Sequence, residues 1–142
     1  MTKPKAFWDT SALVPLCVSQ VNTSQAYVFE SKYRAVVWWE TPVEITSALV
    51  RLHRAKAISA LDYANATLQA EGLANLWQQI APSVEIARDA RTLLELYPLR
   101  AADALQLSAA LEWCEGAPKG KVFLTFDKRL GEAAGLAGFT LQ

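Results

Sequence analysis

An α/β fold, with a central and mainly parallel sheet covered by helices on both faces, is predicted by three features of the sequence. Short apolar runs of strand length alternate with longer stretches whose apolar residues recur at helical spacing, the pattern of strand–helix–strand units. The run Ala35 to Trp39 is apolar without alternation, as a central parallel strand buried on both faces requires. Acidic residues stand just after two of the predicted strands, at the carboxyl edge where open α/β sheets bind ligands.

The elements follow in order. Lys5 to Trp8 reads as a short buried strand, after which Thr10 or Ser11 caps a helix with Ala12, Leu13, Leu16 and Cys17 at its apolar positions. Polar residues around Val21 to Ser24 mark a turn, and Gln25 to Lys32 forms a second helix with Ala26, Phe29 and Tyr33 on one face. After the strand at Ala35 to Trp39, Thr41 reads as an N-cap and Pro42 as the first helical residue, because proline lacks only an N–H that is unpaired there anyway. That helix runs to about Ala55 and carries Glu44 in its first turn. Ser59 opens an alanine- and leucine-rich helix lasting to about Trp77, with Gly72 as its weak point.

Trp77 to Ile80 reads as a third strand. Pro82 and Ser83 start a helix through about Leu96, with Ile86, Ala90, Leu93 and Leu94 toward a core, and Pro98 breaks it. A helix from about Ala101 to Trp113 carries Asp103 near its start. Gly116, Pro118 and Gly120 form a loop cluster. Lys121 to Thr125 is another strand, with Asp127 just beyond it, and Lys128 to Ala134 a short helix before a final strand at Phe139 to Leu141.

The 142 residues suit one domain spanning 1–142, large enough to bury a core without disulfides or metals. With 52% apolar and 20% charged residues the composition is that of a globular chain, which excludes a disordered or fibrous protein. A formal net charge of zero excludes a broadly basic nucleic-acid coat, so any such contact must be local. No apolar stretch approaches the roughly 20 residues of a membrane span, and the amino terminus has no signal-like region, which predicts a cytoplasmic chain. Cys17 and Cys114 lack partners at metal-ligand spacing and read as buried thiols; the lone His53, among Arg51, Arg54 and Lys56, reads as an exposed surface residue. Zinc sites and histidine-dependent triads are therefore disfavoured. Trp8 and Trp38 belong to the predicted core, whereas Trp39, Trp77 and Trp113 are freer to serve an interface.

The chemistry points to the acids. A parallel sheet places Asp9 and Asp127 at one edge, and Glu44 and Asp103 each open a helix close to it. Singly, an acid at a helix start is explained by capping and the helix dipole. Four converging carboxylates would repel one another unless a cation neutralised them, and oxygen-only ligation selects a hard ion, magnesium or manganese. Such an ion suits phosphodiester hydrolysis.

The segments Phe7-Trp8-Asp9-Thr10-Ser11-Ala12-Leu13-Val14, Pro42-Val43-Glu44, Arg100-Ala101-Ala102-Asp103-Ala104-Leu105 and Leu124-Thr125-Phe126-Asp127-Lys128-Arg129-Leu130 resemble the motifs of PIN-domain nucleases, and more narrowly those of VapC toxins. The resemblance covers nearly the whole length in order. It implies a three-layer α/β/α PIN-like domain, a homodimer, magnesium or manganese dependence, and an endoribonuclease toxin that cleaves RNA and is held in check by a cognate antitoxin. Asp9, Glu44, Asp103 and Asp127 fall on the family's catalytic and metal-binding acids; Thr10 or Ser11, and Thr125, fall where hydroxyls support those acids. Gln106 stands where many relatives carry histidine, and no essential chemistry is assigned to it. Arg100, Lys128 and Arg129 lie closest in sequence to the acids, with Arg51, Arg54 and Lys56 further along a helix.

Two alternatives compete. A haloacid-dehalogenase-like phosphohydrolase would use Asp9 as nucleophile but needs a second Asp two positions on, where this chain has Ser11. A catalytically silent PIN-like module acting through protein contacts would have no reason to keep four acids.

Overall fold

A computed structural model describes residues 2–142. Its elements are β1 (Lys5–Trp8), α1 (Thr10–Cys17), α2 (Thr23–Lys32), β2 (Arg34–Trp38), α3 (Thr41–Arg54), α4 (Ala60–Ala74), β3 (Gln78–Ile80), α5 (Val84–Leu96), α6 (Ala101–Trp113), β4 (Phe123–Leu124) and α7 (Lys128–Ala137). The strands form one sheet in the order β3-β2-β1-β4. Every pairing is parallel, with Phe7 beside Val36 on one side and Phe123 on the other.

Alternation along the strands divides the core between two helical layers. Phe7, Val36, Trp38 and Phe123 pack under α5, α6 and α7 with Ile86, Leu93, Leu107 and Leu130. Ala6, Trp8, Val37 and Leu124 face the other way, onto Leu13 and Leu16 of α1, Phe29 of α2 and Ile45 and Leu49 of α3. The predicted three-layer α/β/α architecture is thus observed. Trp8 and Trp38 are core residues as expected, 1% and 4% exposed. Of the three tryptophans read as freer to serve an interface, with the core as default, Trp39 is open to solvent, whereas Trp77 and Trp113 pack at the margins of the two cores.

Local chemistry accounts for several boundaries. Ser59 and Asp62 close a reciprocal capping box at the start of α4, and Ser83 accepts from Ile86 N to open α5. Gly72 lies within α4 and does not interrupt it.

Other boundaries depart from expectation. The residue that caps α1 is Asp9, with Thr10 already helical and no side-chain cap bond. Glu40, not Thr41, holds the cap position of α3, because the Thr41 hydroxyl is buried against Gln106. The expected last strand reduces to one bridge, Val122 with Thr140. There the chain turns out of α7 through Gly138, at φ 114°, a conformation that favours glycine, and it buries only Phe139. Cys114 is buried, but Cys17 is only half-buried; His53 is exposed and stacks on Tyr63. Among the described residues, no helix is long and apolar enough to cross a membrane.

Candidate active site

β1 lies between β2 and β4, so the winding direction of the sheet reverses at β1, where ligands of open α/β sheets bind beyond the carboxyl ends. Trp8 pairs with Leu124, and Asp9 N donates to Leu124 O at 3.1 Å, which carries the two chain segments out of the sheet side by side. Asp9 emerges from β1 and Asp127 follows β4 by way of Thr125 and Phe126. Glu44, in the first turn of α3, and Asp103, in the first turn of α6, enter from the flanking helices. All four carboxylates line a single cleft of about 720 Å³.

Three of these acids accept a bond from a protein donor. Asp9 Oδ1 accepts from Ser11 Oγ at 2.7 Å, Asp127 Oδ1 from Leu130 N at 2.9 Å, and Glu44 Oε1 from Gln106 Nε2 at 3.0 Å. Ser11 also accepts from Phe126 N at 2.8 Å and lies 3.1 Å from Thr125 Oγ1. The three hydroxyls singled out from the sequence therefore divide their contacts: Ser11 and Thr125 stand with Asp9, and Thr10 with Gln106 and Glu44.

No family model and no curated protein sequence matches the chain. Solved structures do match its shape. A sarcin-ricin-loop-cleaving toxin of Mycobacterium tuberculosis, VapC20, superposes with a TM-score of 0.67 at 17% identity, over 96% of this chain and 97% of that one. A protein of Pyrobaculum aerophilum gives 0.65 at 19% identity over 97% and 89%. A toxin–antitoxin complex from Klebsiella pneumoniae gives 0.61 at 18% identity over 88% and 89%. The chain has a PIN-like fold.

Within this PIN-like fold the cleft is electrostatically loaded. Burial pushes the Asp9 carboxyl from its ordinary 3.8 up to about 7, against the hydrogen bonds of Ser11, Thr125 and the Ala12 backbone, and the charge of Asp127 adds to the rise. Glu44 is raised first by burial, with Gln106 and Thr10 opposing and Glu40 and Asp103 reinforcing. Asp103 is raised by burial and then by Asp127, with Arg100 opposing. The single ion pair among the described residues is Arg88 with Asp89, on the surface, so none of the four acids is held in an ion pair. Arg51 is the one basic side chain lining the cleft.

These donors fit a hard divalent ion in chemistry: oxygen ligands only, partly desolvated, with none of them held in an ion pair. Asp9, Asp103, Asp127 and Glu44 are the residues that would hold it. They do not form a closed cage; among the described residues no three acids, histidines or cysteines are grouped tightly enough to hold an ion as placed.

Sequence reasoning gave no site role to Gln106, read Thr41 only as a helix cap, and passed over Glu40. Gln106 is 1% exposed at the centre of the contacts between α1, α3 and α6. Its advance signs were its place where many relatives of the resembled family carry histidine and an amide set between Leu105 and Leu107. Glu40, which accepts from Trp38 Nε1 at 3.3 Å, lines the cleft beside Glu44 and carried no distinguishing sign.

Proposed function

We propose that this chain is a divalent-metal-dependent endoribonuclease and the toxin of a toxin–antitoxin pair. The observation that carries the reading is the set of four acids lining one cleft beyond the carboxyl ends of β1 and β4, none of them held in an ion pair. The similarity to VapC20, a sarcin-ricin-loop-cleaving toxin by its description, and to a toxin–antitoxin complex supports RNA as substrate and an antitoxin as partner.

In this reading Asp9, Asp103 and Asp127 hold magnesium or manganese, with Glu44 completing the set. When bound, the ion supplies a stronger acid in its water and charge stabilisation at phosphorus. The side chains do the rest. Ser11 and Thr125 hold Asp9 in place, and Leu130 N fixes one oxygen of Asp127. A cleft carboxylate accepts the proton as a water oxygen attacks phosphorus, the bond to the leaving ribose oxygen breaks, and that oxygen takes up a proton from solvent water to leave as a hydroxyl. Arg51 offers the RNA backbone its one cationic contact inside the cleft. Trp39 and Val43, 54% and 64% exposed next to Glu40 and Glu44, give an antitoxin or a second copy apolar surface to cover.

The test is cleavage of cellular RNA by the purified chain in magnesium or manganese, with chelator and with Asp9→Asn and Asp103→Asn. Cleavage should require the ion and vanish in both variants while circular dichroism stays native. Undiminished cleavage in the variants, or in chelator, overturns the assignment.

A further inference from the structure

Resting on that reading, we propose that Gln106 is a positioning residue that aims the Glu44 carboxylate. Gln106 lies one turn after Asp103 on the same face of α6, and it is almost completely buried. Its Nε2 is 3.0 Å from Glu44 Oε1, 3.2 Å from Thr10 Oγ1 and 3.2 Å from Thr41 Oγ1. Thr10 is the residue after Asp9, and Thr41 opens the helix that carries Glu44. One amide therefore touches all three structural elements from which those acids project.

The amide's orientation is dictated by Glu44. A primary amide nitrogen has two hydrogens, and a carboxylate oxygen only accepts, so one hydrogen is committed to Glu44 and the other falls to the two hydroxyls. The amide oxygen is buried and has no partner among the described residues. Turned over, that oxygen would gain two hydroxyl donors but would face the Glu44 carboxylate oxygen at 3.0 Å, acceptor against acceptor. The side chain leaves its own carbonyl unsatisfied in order to present N–H to Glu44. A residue serving only to fill the core would need no polar atom here, since Leu105 and Leu107 flank it in the same helix.

Positioning of this kind acts on ion affinity and turnover and leaves the binding of RNA elsewhere in the cleft intact. The near-isosteric Gln106→Met removes the hydrogen bonds and keeps the volume. Manganese affinity by electron paramagnetic resonance, together with kcat and KM on a single-stranded RNA, is compared for wild type, Gln106→Met, Glu44→Gln and the double variant. Gln106→Met, native by circular dichroism, should lose about 10–100-fold in manganese affinity and kcat, the range expected when a residue supporting a metal ligand is removed. Its KM should stay within twofold. The double variant should be no worse than Glu44→Gln, because two residues acting through one contact are not additive.

Gln106→His keeps a ring N–H and should recover most of the loss; it carries the test if Gln106→Met does not fold, in which case a His variant as impaired as Glu44→Gln overturns the inference. Additive losses, or manganese affinity and kcat within threefold of wild type in Gln106→Met, also overturn it while leaving the nuclease reading standing. A wild-type chain that neither binds manganese nor cleaves RNA overturns both.

Discussion

Ser11 Oγ donates a 2.7 Å hydrogen bond to Asp9 Oδ1 while accepting one of 2.8 Å from Phe126 N. One hydroxyl thus joins the chain leaving β1 to the chain leaving β4 and sets the distance between Asp9 and Asp127. Ser11→Ala strands the Phe126 N–H and removes a donor from Asp9. Leaving a half-buried donor unpaired costs about 1–3 kcal/mol, so Tm should fall by about 3–10 °C. Loss of that bond also raises the Asp9 carboxyl further above about 7. Thermal denaturation of the variant at pH 7 checks this, and an unchanged Tm would show that the bond is not made.

Asp9 makes stability depend on pH in a direction that can be worked out. Its carboxyl titrates near 7 in the folded chain against an ordinary 3.8, so between those values the folded state binds the proton that the unfolded state has released. Stability from this group is greatest below about 3.8 and declines as pH rises to about 7, where the full cost of the buried charge is reached. Asp9→Asn removes that cost. In chelator at pH 8 the variant should melt above the wild type, and the gap should close as pH falls toward 4. Adding manganese at pH 8 should raise the wild-type Tm and leave the variant unmoved, since only a ligand bound by the native state stabilises it. A constant offset between the two proteins across pH would count against this account.

Asp127 combines two duties that one pair of substitutions can separate. Its Oδ1 caps α7 by accepting from Leu130 N at 2.9 Å, and its carboxylate lines the cleft. Asparagine caps as well as aspartate does, whereas alanine forfeits about 1 kcal/mol. Asp127→Asn should therefore keep the wild-type Tm and lose nuclease activity by at least 100-fold; Asp127→Ala should lose both. Full activity in Asp127→Asn would return this residue to the capping role alone.

The parts legible in the sequence are those encoded by near neighbours. Asp9 could be placed at a strand end because an apolar run stops directly before it, and the parallel sheet followed from strands alternating with helices. Gln106 was illegible for the opposite reason. Its partners Thr10, Thr41 and Glu44 lie 96, 65 and 62 residues away, beyond any helical or strand periodicity. The same contact explains the misplaced cap of α3, since the hydroxyl of Thr41 turns inward to that amide. At the carboxyl terminus, burial of the single Phe139 against Phe123, with ring centroids 5.5 Å apart, imitated the apolar pattern of a strand.

Basic residues show the same division between chain order and spatial order. Arg100, Lys128 and Arg129 are nearest the acids in sequence, yet Arg51, seven residues beyond Glu44 on α3, is the one that lines the cleft. Residues separated by seven positions share a helix face two turns apart, so Arg51 lies further along α3 on the face that carries Glu44. Arg51→Ala should weaken RNA binding through a lost phosphate contact while the reacting centre is untouched. The expected result is a KM raised about 3–10-fold with kcat within twofold, and a salt dependence of RNA affinity shallower by about one unit of slope in the logarithmic plot. Arg129→Ala, whose side chain is exposed and does not line the cleft, should leave both quantities unchanged. Equal effects from the two variants would mean that the RNA reaches the acids from the α7 side instead of along α3.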